Sequence, residues 1–168
     1  MSRKEQLLSI YKTCKKEVEE HVMDSLENMD EAKLRSDKLY LYYTQLGKDM
    51  YTGEPINIEE LFGNEKYDID HIFPQSLTKD DSLDNRVLTN KVINSGKSND
   101  YPLDLEVRKN MSSFWKMLHD RGLISSKKYE RLVRKEPLTE SELTGFIERQ
   151  IVETRQSSKA IANLLVKL

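Results

Sequence analysis

Leu7, Tyr11, Cys14, Val18 and Val22 stand at three- and four-residue spacing among lysines and glutamates. That spacing predicts one amphipathic helix from about Arg3 to Met23, with a narrow stripe of the kind that packs on a single partner helix. Cys14 reads as a small buried residue of that helix. Residues 24–33 are polar and read as a linker or frayed end. A second helix is expected from near Ser36, presenting Leu39, Tyr42, Tyr43 and Leu46, with Gly47 as its stop.

The period then changes. Thr52-Gly53-Glu54-Pro55 is a turn sequence, and Asn57 is placed to cap a brief helix through Leu61 and Phe62 that Gly63 ends. In residues 68–73, Ile69, His71 and Phe73 alternate with Asp68, Asp70 and Ile72, which predicts a short strand. Residues 79–85 form a polar loop, Arg86-Val87-Leu88-Thr89 a second strand, and Asn90 begins a helix that carries Ile93 and Asn94 and is interrupted or ended at Gly96.

The rest is helical by pattern. Residues 104–120 place Val107, Met111, Phe114, Trp115 and Leu118 on one face before Gly122. A shorter helix spans 126–135, and Thr139 with Glu142 carries the signature of a capping box that starts the last one. No internal repeat is visible. These elements predict a mostly helical α+β fold: a short antiparallel hairpin and a following helix, with helices on both sides.

Composition narrows the function. Charged residues make up 33% of the 168 and hydrophobic ones 37%, the balance of a soluble, helix-rich chain with a modest core. No apolar run approaches a membrane span, and the first residues lack the apolar stretch of a signal peptide. One cysteine excludes an intrachain disulfide and a cysteine-based zinc site, and a reducing cytoplasm fits. The formal net charge of −2 argues against autonomous tight binding of nucleic acid, so any action on DNA is expected to draw affinity from other domains.

The chemistry centres on Asp70-His71, flanked by Ile69 and Ile72. Adjacent strand residues point to opposite faces, so the two side chains diverge unless a cation or phosphate lies at the strand end. A helix packed back on the hairpin would bring Asn94 over the first strand. A hard divalent cation such as Mg²⁺ takes oxygen ligands, often one or two from protein, and the Asp70 carboxylate and Asn94 amide oxygen suit it. His71 then has the right pKa range to deprotonate a water attacking phosphorus. An Asp-His pair alone also arises by chance, as an ion pair or a capped strand end. His21 and His119 lie on predicted helices without ligand-spaced partners and read as ordinary surface or core residues.

The run Asp68-Ile69-Asp70-His71-Ile72-Phe73-Pro74-Gln75-Ser76, the loop and strand Lys79-Asp80-Asp81-Ser82-Leu83-Asp84-Asn85-Arg86-Val87-Leu88-Thr89, and Asn94-Ser95-Gly96-Lys97-Ser98 resemble the HNH nuclease domain of the RNA-guided DNA endonuclease of type II CRISPR systems. The resemblance extends to residues 38–43, 47–51 and 145–156, and so covers roughly residues 34–156. It implies a ββα-metal core with added helices. It implies that Asp70 and Asn94 bind one Mg²⁺, with Mn²⁺ as a substitute, and that His71 is the general base. It further implies that the cleaved strand is the DNA strand paired with the guide RNA. The remaining domains of a bacterial, cytoplasmic parent enzyme would be partners, residues 1–33 and 157–168 would be linker helices, and the excised domain would be a monomer of low activity.

Other positions have open roles. Asp68 either orients Asp70 or His71, or is a solvated strand residue. Asn85 either approaches the metal or, as we favour, closes the loop by side-chain hydrogen bonds. Lys97 either touches a phosphate or is solvated. Val92 stands where some relatives have an acid, so metal binding would rest on Asp70 and Asn94. Two other functions compete: a free-standing HNH nicking or homing endonuclease, and a non-catalytic helical adaptor in which Asp70 and His71 form a polar contact.

Overall fold

The computed structural model of the chain describes residues 1–63, 65–97 and 100–167, the side chains of 95–97 and 163–167 excepted. Ser2 caps helix α1 (Arg3–Thr13) by accepting the Glu5 N–H. The helix ends at Thr13, ten residues short of the expected Met23. Thr13 and Cys14 are weak helix formers, and both side chains turn back to the Ile10 carbonyl while the Cys14 N–H bonds Tyr11 O. The chain turns and re-enters a separate helix, α2 (Glu20–Glu27), which lets Leu7 and Tyr11 from one and Val22 and Leu26 from the other face a common core. Cys14 is buried, but beyond the helix rather than within it. Nor is the polar stretch that follows a frayed end: α2 runs into it, and a 3₁₀ turn at Glu31–Arg35, capped by Asp30, buries Leu34.

Ser36 caps α3 (Asp37–Thr44), which buries Leu39, Leu41, Tyr42, Tyr43 and Thr44. Burial on nearly every face marks it as the central helix of the core. The turn after it needs Gly47: its φ is +72°, and a Cβ there would lie 2.9 Å from Val22 Cγ2. Beyond this turn, Asn57 caps the 3₁₀ turn Ile58–Leu61.

Strands β1 (Tyr67–His71) and β2 (Arg86–Asn90) pair antiparallel, with Asp70 opposite Val87 and His71 opposite Arg86. A two-stranded sheet leaves edges whose polar groups need partners. Gln45, wholly buried past the end of α3, supplies them on β2: its Oε1 accepts the Leu88 N–H at 2.8 Å and its Nε2 donates to Leu88 O at 2.9 Å. Helix α4 (Lys91–Lys97) follows β2 at once, with the Asn90 side chain accepting the Val92 N–H, and it continues through Gly96. Strand, strand and helix together form the ββα unit.

Asp104 caps α5 (Leu105–Asp120), whose Trp115 is fully buried and donates its indole N–H to Met50 O at 2.9 Å. Ser125 caps α6 (Ser126–Val133). Helix α7 (Glu140–Lys167) opens with a capping box: Thr139 N–H to Glu142 Oε1, 3.0 Å, and Glu142 N–H to Thr139 Oγ1, 3.1 Å. From Ile151 to Ala162 every residue of α7 is exposed. No described helix is long and apolar enough to cross a membrane.

Candidate metal and nuclease site

Asp70 is only 7% exposed. The Tyr51 hydroxyl donates to its Oδ2 at 2.5 Å. Burial, and then the Asp70 charge, push the Tyr51 phenol well above its usual pKa, so it stays a protonated donor. Asp49 places Tyr51. Its Oδ1 accepts from the Tyr51 N–H at 2.9 Å and from Thr89 Oγ1 at 2.8 Å, and its Oδ2 accepts from the Asn90 N–H at 2.7 Å. One buried carboxylate thereby ties the turn carrying Tyr51 to the end of β2.

Residues two apart on a strand share a face, so Asp68 and Asp70 lie on the same side of β1. Asn94, on α4, reaches that side: its Nδ2 donates to Asp68 Oδ2 at 3.3 Å, while Asp68 Oδ1 accepts the Ile69 N–H at 2.9 Å. Asp68 therefore meets Asn94, and the ββα unit brings Asn94 back over β1 to the face that carries Asp70.

His71 is the last residue of β1, with a side chain 20% exposed. Its Nε2 lies 2.6 Å from Asp81 Oδ1. The Gln75 amide nitrogen lies 3.2 Å from both that ring nitrogen and that oxygen. Asp81 comes from the loop between the strands, which Asn85 closes. Asn85 is fully buried; its Oδ1 accepts the Phe73 N–H at 2.9 Å, and its Nδ2 donates to Phe73 O at 3.1 Å and Asp80 O at 2.9 Å. The Lys97 side chain lies outside the described residues. Val92 is 77% exposed and brings no acid to the site. His119 contacts Asp120 and Ser126 and stacks on Tyr129.

Tyr51, Gln75 and Asp81 are the residues that sequence reasoning passed over. Tyr51 stands 19 positions from Asp70, in a turn whose sequence carries no chemical signature. Asp81 is one of several acids in a polar loop, and nothing local singles it out.

Among the described residues no group of three or more His, Cys, Asp or Glu side chains is arranged to hold a metal. The donors that do share a face, the Asp70 carboxylate and the Asn94 amide, offer oxygen and neither thiolate nor paired imidazole. Such a set fits a hard cation that keeps most of its shell as water and phosphate oxygen.

The family described as HNH endonuclease matches residues 49–103, the stretch from Asp49 through Tyr51, both strands and α4. Over 139 residues, 82% of its length, the chain is 48% identical to a CRISPR-associated endonuclease Cas9 of Streptococcus mutans. It is 43% identical over 159 residues, 92% of its length, to that of Listeria innocua. To the CRISPR-associated endonuclease Cas9 1 of Streptococcus thermophilus it is 32% identical over 136 residues, 76% of its length. The chain spans 10% to 12% of the length of these curated relatives.

Proposed function

This chain belongs to the Cas9 family as its HNH endonuclease domain, and on that premise we propose that it hydrolyses a phosphodiester in the DNA strand paired with a guide RNA. His71 is the general base, and Asp70 and Asn94 hold one Mg²⁺, which Mn²⁺ can replace. The observation that carries this reading is the ββα unit itself. It brings Asn94 over the face of β1 that bears Asp70 and sets His71 next in sequence at the strand's end.

Hydrolysis requires that a water attack phosphorus, that its proton leave, and that the departing sugar oxygen gain one. His71 takes the proton from the attacking water as general base. Asp70, held by Tyr51, presents a fixed carboxylate, and Asn94, held by Asp68, presents an amide to the same face. A bound cation would stabilise charge on the phosphate and the leaving oxygen.

A net charge of −2 gives the chain no overall attraction to a duplex. Affinity for the guide RNA–DNA heteroduplex accordingly falls to the remaining domains of a bacterial, cytoplasmic parent enzyme. In that enzyme residues 34–156 form the nuclease domain, and residues 1–33 and 157–168 join it to the rest. The domain by itself is a monomer of low activity.

The test replaces the matching segment of the Streptococcus mutans relative with this chain and assays cleavage of each labelled DNA strand with guide RNA and Mg²⁺. The expected result is cleavage of the guide-paired strand that His71→Ala abolishes. Full cleavage by His71→Ala refutes the base. In Mg²⁺ titrations of the chain followed by NMR, Asp70→Ala and Asn94→Ala are expected to weaken binding, and unchanged titrations in both refute the ligand set. Efficient cutting of plain duplex by the chain alone would overturn the guided reading.

A further inference from the structure

We propose that Asp81 is a positioning residue for His71: its carboxylate holds the imidazole as the Nε2–H tautomer and turns the Nδ1 lone pair to the proton of the attacking water. The inference rests on the assignment of His71 as base.

The tautomer follows from the contact. An ionised carboxylate can only accept hydrogen bonds. Asp81 Oδ1 lies 2.6 Å from His71 Nε2, so that nitrogen must carry the hydrogen. Gln75 cannot then donate to Nε2, although its amide nitrogen is 3.2 Å away; its N–H goes to Asp81 Oδ1, also at 3.2 Å. One carboxylate oxygen thus accepts from both, and Gln75 helps to aim it. A neutral imidazole carries a single ring proton, so the basic lone pair is on Nδ1.

The Asp81 side chain is 70% exposed, and an exposed pair of this kind is too weak to place itself. The loop places it. Just before Asp81, the Asp80 carboxylate accepts from Ser82 N–H at 2.9 Å and Ser82 Oγ at 2.6 Å, and from Arg131 of α6 at 2.8 Å. The Asp80 carbonyl accepts from Asn85. Asn85 also holds Phe73 through both backbone groups, and its own carbonyl accepts the Ile72 N–H at 2.8 Å. The same side chain therefore fixes the backbone just past His71 and just before Asp81. The distance between base and carboxylate is set by the bonds that hold the backbone on either side of it, buried at Phe73 and partly buried at Asp80, not by their mutual attraction.

Two readouts on three variants test this. With only three histidines in the chain, long-range ¹H–¹⁵N spectra of the whole chain at mildly alkaline pH resolve the His71 tautomer. The wild-type ring is expected as Nε2–H. Asp81→Ala is expected to lose that preference, with an unchanged melting profile. In the chimera, Asp81→Ala is expected to slow cleavage at saturating substrate by about 10- to 100-fold. Asp81→Asn, which keeps an acceptor oxygen, is expected to recover the tautomer and most of the rate. An Asp81→Ala chain with wild-type tautomer, or one with altered tautomer and wild-type rate, overturns the inference. If His71→Ala cleaves fully, the assignment of the base fails instead. If His71→Ala is dead while Asp81→Ala matches wild type in both readouts, only the present inference fails.

Discussion

The Tyr51 hydroxyl donates to Asp70 Oδ2 at 2.5 Å inside the core, so the proposed metal ligand is anchored by a residue from another part of the chain. A hydrogen bond to a buried charge contributes about 1.5–3 kcal/mol. Tyr51→Phe removes it with little change in volume. The expected outcome is a stability loss of about 2 kcal/mol in urea unfolding and about tenfold weaker divalent binding, read by Mn²⁺ relaxation titration. Affinity equal to wild type would show that Tyr51 does not orient the ligand.

Asn85→Ala deletes three side-chain hydrogen bonds and leaves the Phe73 N–H buried without its acceptor. We expect a loss of about 3 kcal/mol in equilibrium unfolding. Amide exchange should quicken in residues 72–85 more than in α5. Uniform quickening across both would mean that Asn85 supports the whole core rather than the loop.

Arg131 braces the same loop through Asp80. Burial raises the Asp80 carboxyl, but hydrogen bonds from Ser82 and Arg131 outweigh it and hold the group at about 2. A folded pKa below the unfolded one contributes stability that is present above about pH 4 and lost as pH falls toward 2. Arg131→Met should therefore cost about 1 kcal/mol near neutrality, and the gap to wild type should narrow as pH drops through that window. Acid titrations of both proteins, followed by circular dichroism, measure it.

Lys128 on α6 is buried and donates to Arg86 O at 2.6 Å, on the β2 residue paired with His71. Burial pulls its pKa down to about 7, against the raising effect of Asp84. From about pH 7 to pH 9 the unfolded chain holds a proton on this lysine that the folded chain has released. Stability from this group rises with pH there, by up to about 1.4 kcal/mol per unit. Lys128→Met should flatten that slope in urea midpoints compared across the window. Parallel slopes would show that the lysine stays charged in the fold.

Much of the fold was legible because local rules agreed with the global one. The α5 stripe of Met111, Trp115 and Leu118, the two strands and the Thr139–Glu142 box all came out within a few residues of expectation. The N-terminal helix failed because a periodic stripe does not reveal a break when both halves face one core. What breaks it is a pair of side-chain bonds to the Ile10 carbonyl.

The sequence by itself determined the residue types of the site, the order strand, loop, strand, helix, and the family. Periodicity and motif spacing are properties of neighbours along the chain, and those survive without a structure. Only the tertiary structure decided that Tyr51 meets Asp70, that Asn94 meets Asp68, and that Asp81 meets His71 through a loop which Asn85 and Arg131 hold. Each of those contacts joins segments separated by a turn or more of chain. Their distances are set by how the core packs, which no local pattern encodes.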